Sequence, residues 1–356
     1  MKKQLNMETL GVLAAALISA ALITGCSGNA AQNGNSDITS DAPSGNETES
    51  QEQTETVQES EKTDGEKLKV MASFYPMYDF AVKIGGEKAE VLDMVPAGTE
   101  PHDWEPAASD MKNLEEADLF VYSGAGMEHW VDTVLDSLEN QKLVTVEASE
   151  GLTLLPGHDE EEEDEAADAE SHEEADDDEH EHGQYDPHVW LSPLNAKKEM
   201  ENIKNAYIEA DPENKDYYEA NYETWADEFD ELDQEYRDTL SAMPNKDIVV
   251  AHEAFGYLCD AYGLNQVGIE GLSPDSEPDP ARMAEVIDFV KDNNVKVIFF
   301  EELVSPKVAE TIAAETGASA QMLNPLEGLS DEELKQGEDY FSVMESNLEQ
   351  LREALE

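Results

Sequence analysis

The sequence contains few cysteines and few basic residues, and both shortages restrict what the protein can be. Its 2 cysteines, Cys26 and Cys259, cannot form the several disulfides of a small secreted scaffold. Lys and Arg number 21 against 84 Asp and Glu, which gives a formal net charge of -63. Such a polyanion repels nucleic acid and anionic membrane surfaces, so we expect neither as an electrostatic partner. Cations remain as natural ligands.

The N-terminal apolar run, residues 10–23, is shorter than the roughly 18 to 20 residues that span a bilayer. It follows two lysines, and a glycine stands immediately before Cys26. This pattern predicts a lipoprotein signal peptide over residues 1–25, with cleavage before Cys26 and acylation of that residue. The protein would then be lipid-anchored on the outer face of a bacterial cytoplasmic membrane, extracellular or periplasmic. The alternative is an uncleaved N-terminal anchor helix.

Two polar segments lack the apolar residues needed to form a core. Residues 26–67, rich in Ser, Asn, Gln, Glu, Thr and Gly, are predicted to be a disordered tether. Residues 157–184 are predicted to be an acidic loop within the first lobe, and positions 158–182 hold sixteen acids and no Lys or Arg. The same stretch contains four histidines that predict auxiliary zinc binding: His158, His172, His180 and His182.

Short apolar runs alternate with amphipathic stretches from residue 68 onward, which is typical of parallel α/β structure. The pattern predicts eight strands, at residues 68–72, 91–95, 119–122, 143–146, 248–250, 267–269, 297–300 and 320–323. We therefore expect an N-terminal lobe over 68–210 and a C-terminal lobe over 245–356. Between them, a stretch without internal Gly or Pro predicts one long, rigid linking helix over 211–244, with Asp211 as its cap and Pro212 in its first turn.

Three histidines outside the acidic segment stand where ligands collect in an open parallel sheet, at the carboxyl ends of strands and in the loops beside them. His102 lies in a proline-flanked loop after residues 91–95, and His252 follows 248–250. His188 closes the loop that contains the acidic segment. Together they could converge in one cleft, where imidazole nitrogens with a carboxylate at four positions would suit Zn²⁺ better than Mn²⁺.

The two remaining candidates are given structural interpretations. His129 is predicted to begin a helix and to be a surface residue. Cys259 stands in the apolar stretch 255–259 without a second thiol nearby, which predicts a core residue and not a nucleophile.

Four blocks, in order, resemble the zinc branch of the metal-binding solute-binding proteins of ABC transporters. They are PHDWEP at 101–106, DPHVWLSP at 186–193, AHEAFGY at 251–257 and LNPLEGL at 323–329. The likeness extends over roughly residues 68–356 and includes the acidic, His-rich loop. It implies two (β/α)-type lobes joined by a long helix, with a metal in the cleft between them.

The resemblance also implies the ligands: His102, His188, His252 and a carboxylate, for which Glu327 is our choice. Glu301 and Glu302, at the end of the strand 297–300, are competing candidates. The manganese branch has a glutamate where His252 stands, so the histidine favours zinc. Some zinc-branch proteins have a disulfide in the second lobe, and this chain departs from them.

A transport role implies a permease and its ATPase as partners, and zinc chaperones as further ones, with the protein itself a monomer. Zn²⁺ would be the transported ligand and not a resident cofactor. Two other classes stay open on the sequence: a surface adhesin or zinc buffer of the same fold, and a zinc-dependent hydrolase. The hydrolase is disfavoured because the chain has no His-Glu-x-x-His pair, no Gly-x-Ser-x-Gly elbow and no glycine-rich phosphate loop.

Overall fold

The structure, a computed structural model, describes residues 67–157, 185–274 and 278–356. The predicted signal peptide, Cys26 and nearly all of the predicted tether lie outside these residues, as does the acidic segment with its four histidines. Among the described residues, no helix combines the length and the apolar character that crossing a membrane requires.

Each of two lobes contains a four-stranded parallel sheet. The N-terminal sheet has the order β2-β1-β3-β4, with β1 at Leu68–Ala72, β2 at Ala89–Asp93, β3 at Leu119–Tyr122 and β4 at Val144–Glu147. The C-terminal sheet has the order β6-β5-β7-β8, with β5 at Asp247–Val250, β6 at Asn265–Gly268, β7 at Val297–Phe300 and β8 at Ser319–Met322. All eight predicted strands are present, with bounds shifted by two residues or fewer.

The helices follow the strands in the alternating order that parallel sheets require. In the first lobe they are α1 (Tyr75–Gly85), α2 (Ala108–Glu115), α3 (Val131–Ser137) and α4 (Pro193–Ala210). After α5 (Lys215–Ser241), the second lobe has α6 (Gly256–Tyr262), α7 (Pro280–Asn293), α8 (Lys307–Thr316), α9 (Asp331–Gln336) and α10 (Tyr340–Leu355). Short 3-10 turns lie at Gly86–Lys88, Val189–Leu191 and Pro212–Asn214.

The linking helix predicted over 211–244 is an α-helix only over its 27-residue central part, α5, which is about 40 Å long at 1.5 Å per residue. Residues Pro212–Asn214 form a 3-10 turn before it. The Asp211 carboxylate accepts hydrogen bonds from the side chains of Asn214 at 2.7 Å and Tyr218 at 2.8 Å, and not from backbone N–H groups. The expected helix cap is therefore wrong, because this carboxylate stabilises the turn through side chains.

One hydrophobic core extends through both lobes and along α5. Phe80 of α1, Phe229 of α5 and Tyr340 of α10 pack edge to face, with ring centroids 5.1 to 5.8 Å apart. Next to them, the nearly buried ammonium group of Lys83 donates to Asp79 at 2.7 Å and to Asp339, the cap of α10, at 2.8 Å. These contacts join α1 to α10, the first and last helices of the part of the chain that the structure describes.

Candidate metal centre

Four side chains from separate loops meet between the two sheets. His102 follows β2, His188 precedes α4, His252 follows β5 and Glu327 follows β8. One nitrogen or oxygen atom of each lies within 4.8 Å of those of the other three. Three imidazoles and one carboxylate are a donor set that zinc accepts in tetrahedral coordination.

Three of these donors already have the spacing of ligands around one ion. Glu327 Oε1 lies 3.1 Å from His102 Nε2 and 3.0 Å from His188 Nε2, and the two nitrogens are 3.2 Å apart. Atoms bonded to one tetrahedral zinc at about 2.0 to 2.2 Å are separated by roughly 3.3 to 3.5 Å. Only small side-chain movements would therefore be needed to admit the ion.

The orientation of His188 is fixed by Asp186. Asp186 Oδ1 accepts a hydrogen bond from His188 Nδ1 at 2.7 Å and another from the His188 backbone N–H at 3.0 Å. Both side chains are buried. Because Asp186 holds Nδ1, Nε2 is the ring nitrogen directed at Glu327, and it can bind a metal once the proton it shares with Glu327 has left.

The ring of His252 is oriented by a backbone group of the second lobe. Its Nε2 lies 2.8 Å from the carbonyl oxygen of Leu272, so it is the donating nitrogen. Its Nδ1 lies 2.9 Å from Glu301 Oε1 and 3.8 Å from Glu327 Oε1. In this orientation Nδ1 is the atom that faces the cluster.

The competing carboxylates Glu301 and Glu302 lie outside the group of four. Glu301 is buried beside the His252 ring, where it supplies negative charge next to a proposed ligand. Glu302 is only partly buried, and its carboxylate lies 3.5 Å from the Asn324 amide nitrogen. Burial, followed by the neighbouring Glu333, raises the pKa of Glu302 to about 7.

Imidazoles and carboxylates shift each other's pKa values in the centre. Burial alone would lower the pKa of His252, but the carboxylates of Glu301 and Glu327 outweigh it and raise that pKa to about 10. Burial would raise the pKa of Glu327, yet the surrounding imidazoles hold it well below its ordinary value. Burial lowers the pKa of His102, although Glu327 opposes this shift. Zinc binding at these imidazoles would therefore release the protons that they hold in the metal-free protein.

The loops that contain His188 and Glu327 are bonded to each other. The indole N–H of Trp190 donates to the carbonyl oxygen of Pro325 at 2.8 Å, and the Tyr340 hydroxyl donates to the carbonyl oxygen of Trp190 at 2.7 Å. Trp190, Pro325 and Tyr340 are all buried, so water does not compete for these hydrogen bonds.

Backbone strain and an asparagine pair position Glu327. Leu326, just before it, has φ of 61°, a left-handed conformation that is unusual for a leucine. The Asn324 side chain accepts from the Leu326 N–H at 2.7 Å, and the Asn347 side chain of α10 exchanges two hydrogen bonds with the Asn324 backbone. Sequence reasoning did not identify Asn347, since an isolated asparagine on a helix gives no local signal of this contact.

The other predicted residues are placed as follows. His129 is exposed and lies two residues before α3, whose flanking residue is Trp130, so it precedes the helix instead of beginning it. Cys259 on α6 is buried, and burial raises the pKa of its thiol. The lipidation candidate Cys26 and the histidines of the acidic segment lie outside the described residues.

Comparison with known proteins agrees with this geometry. The family model described as "ZnuA: Zinc-uptake complex component A periplasmic" matches residues 70–354. The chain belongs to the ZnuA family. The matched range includes both sheets except the first two residues of β1, and all four side chains of the centre. The resemblance seen in the sequence is confirmed.

Relatives named ZnuA and relatives named AdcA are both similar to most of this chain. It is 47% identical to the high-affinity zinc uptake system protein ZnuA of Bacillus subtilis (strain 168) over 291 residues, 82% of this chain and 88% of that protein. It is 42% identical over 287 residues to the zinc-binding lipoprotein AdcA of Streptococcus pneumoniae (strain ATCC BAA-255 / R6), of which it spans only 56%.

A solved structure of the Zn(II)-bound ZnuA-like domain of Streptococcus pneumoniae AdcA superposes with a TM-score of 0.69 at 39% identity. The alignment covers 82% of this chain and 99% of that domain. The predicted α/β fold with two lobes is therefore confirmed for this ZnuA family protein.

Proposed function

We propose that this protein is the extracytoplasmic zinc-binding component of an ABC importer, and that His102, His188, His252 and Glu327 bind the transported Zn²⁺. One observation supports this most strongly: four donor atoms of the right types, from both lobes, lie within 4.8 Å of one another at a largely buried point. The zinc uptake named for the Bacillus subtilis relative agrees with it.

The donor set favours zinc over its competitors. Imidazole nitrogen is a good ligand for Zn²⁺, whereas Mn²⁺ favours sites with more oxygen donors. Four protein donors also fill a tetrahedral shell and leave no open position at which water could be activated. The family is one of uptake components, so the hydrolase alternative has no support.

The partners in this role are a permease and its ATPase in the cytoplasmic membrane. Acylation of Cys26 would keep the protein next to them, and one relative is named a zinc-binding lipoprotein. Incorporation of a labelled fatty acid into the wild-type protein, and its loss in Cys26→Ser, tests the anchor. A Cys26→Ser protein that still incorporates label would overturn this assignment.

The ligand assignment is tested by zinc titration against a competing chelator. Alanine at any of the four ligand positions leaves an incomplete coordination shell, so we expect a large loss of affinity in each variant. Glu302→Ala is the matched control for Glu327→Ala, because its carboxylate lies outside the group of four. Unchanged affinity in His252→Ala would refute His252 as a ligand, unchanged affinity in both His252→Ala and Glu327→Ala would refute a site shared between the lobes, and tight stoichiometric Mn²⁺ binding would refute the zinc assignment.

The adhesin or zinc-buffer alternative differs from transport in the growth defect expected when the gene is deleted. If the protein supplies an importer, cells without it should grow poorly in zinc-limited medium and recover with the wild-type gene but not with His188→Ala. Equal recovery by both genes would favour a role that does not need the metal centre.

A further inference from the structure

The proposed zinc centre adjoins a cavity of about 440 Å³ that lies between the lobes. Of the four ligands, His102 alone lines this cavity. The side chain of His102 is 12% exposed, whereas those of His188, His252 and Glu327 are 0 to 1% exposed. An ion that enters through this cavity therefore meets His102 before the other ligands.

A smaller cavity beside Glu327 measures about 10 Å³. That volume holds about one water molecule, so it is too small for a hydrated metal ion. The large cavity is thus the better passage of the two.

The wall of the large cavity contains further side chains of the types that bind metals. His129 and Asp103 line it together with His102. His129 Nε2 lies 4.0 Å from Glu105 Oε1, and the Glu105 side chain is 78% exposed and able to rotate. A zinc ion bound to both atoms would need them roughly 3.3 to 3.5 Å apart, so a small rotation of Glu105 is sufficient.

The backbone beside His129 is firmly held. The buried carboxylate of Glu128 accepts hydrogen bonds from the Ser73 hydroxyl at 2.6 Å and from the N–H groups of Ser123 and Gly124 at 2.8 and 2.9 Å. The imidazole of His129 is therefore presented from a fixed turn, while its carboxylate neighbours can adjust.

We propose that His129, with Asp103 and Glu105, forms a transient Zn²⁺ position on the route into the buried centre. The two carboxylates attract the hydrated cation, and the imidazole replaces some of its water before His102 takes over. This inference rests on the proposed function, because it assigns an entry path to that same centre. Loss of a position that zinc occupies only in transit should slow binding and release by the same factor. The equilibrium dissociation constant of the buried centre should not change.

The test is stopped-flow mixing of the metal-free full chain with Zn²⁺ at low ionic strength. Tryptophan fluorescence is a suitable signal, because the Trp190 ring lies 5.5 Å from the His188 ring. In His129→Ala we expect the association and dissociation rate constants to fall together by about 3- to 10-fold, which is at the low end of what charged clefts contribute to association rates. The dissociation constant should stay within about twofold of wild type.

Glu105→Gln has a matched control in Glu116→Gln, the same change at an exposed position of the same lobe whose carboxylate lies near Lys69 and Lys112 and not near His129. We expect slower association in the first variant and wild-type association in the second.

Equal rates in wild type, His129→Ala and Glu105→Gln would overturn the transient position while leaving the zinc centre intact. A weaker affinity of His129→Ala caused only by faster release would also overturn it, because His129 would then bind the resident ion. If the wild-type chain bound no Zn²⁺ tightly, or His188→Ala lost nothing, the proposed function itself would fail.

Discussion

Replacement of Asp186 by Ala should weaken zinc binding although Asp186 is not itself a proposed ligand. Its Oδ1 accepts two hydrogen bonds from His188, at 2.7 Å from the ring and 3.0 Å from the backbone. The shorter bond fixes which ring nitrogen is protonated and aims the other at the metal position. Without it, the ring of His188 can rotate and can adopt the wrong tautomer.

The size of the effect follows from the burial of this pair. Loss of the group that orients a metal-binding histidine costs about 10- to 100-fold in metal affinity, or about 1.4 to 2.7 kcal/mol. Asp186 is 5% exposed and His188 is 0% exposed, so water cannot replace the missing acceptor, and we expect the upper part of this range for Asp186→Ala. Asp186→Asn keeps an oxygen acceptor but removes the charge, so a loss near the lower end is expected.

The assay is competition with a chromophoric chelator at fixed pH, on the metal-free full chain. Asp136→Ala, the same change at an exposed position on α3, is the control and should bind like wild type. Circular dichroism of the metal-free proteins separates a local effect from unfolding. A folded Asp186→Ala protein whose affinity lies within twofold of wild type would show that His188 needs no such support.

Three further outcomes are expected. Glu199 on α4 is fully buried, and burial, followed by nearby Glu128, raises its pKa well above the ordinary value. The folded state therefore keeps a proton that the unfolded chain loses. The free energy of unfolding should then fall as the pH rises above about 4.5. Urea unfolding at pH 5, 6 and 7 should show Glu199→Gln gaining on wild type by about 1.4 kcal/mol per pH unit, unlike exposed Glu209→Gln. Lys83→Met leaves two aspartates without their cation and should lower the free energy of unfolding of the metal-free protein by about 3 to 5 kcal/mol, so an unchanged urea midpoint would contradict the role of this pair. Deletion of residues 158–182 should abolish weak zinc binding in a titration and leave the tight step, and loss of the tight step would contradict the assignment of the centre.

Much of the fold follows from local patterns in the sequence. Runs such as Val297–Phe300 are apolar on both faces because parallel strands are buried on both sides, and this makes them visible without any tertiary information. The start of α5 was less predictable. Whether Asp211 caps a helix or stabilises a 3-10 turn depends on Tyr218, seven residues further along, whose hydroxyl reaches back to it.

The centre was predictable to the extent that strand ends determine where side chains collect. His102 and His252 follow β2 and β5, so the parallel topology alone brings them to the cleft edge. Spacing alone gave no reason to propose Glu327 over Glu301 as a ligand, since both follow strands of the same sheet. It depends on the loop after β8, whose path is fixed by Asn347, far away in sequence.

The contacts behind the centre also limit how metal can be gained and lost. The loops of His188 and Glu327 are joined by the buried bond from Trp190 to Pro325, and Tyr340 bonds the same tryptophan to α10. Wide separation of the lobes would leave these polar groups unpaired, at a cost of about 1 to 3 kcal/mol for each. His102 lies on a loop of the first lobe that lines the large cavity, and it is the most exposed of the four proposed ligands. Entry and release are therefore expected to begin with movement of His102, while the other three donors stay in place. A crosslink that holds the lobes together should then slow zinc exchange much less than one that immobilises the loop 96–106.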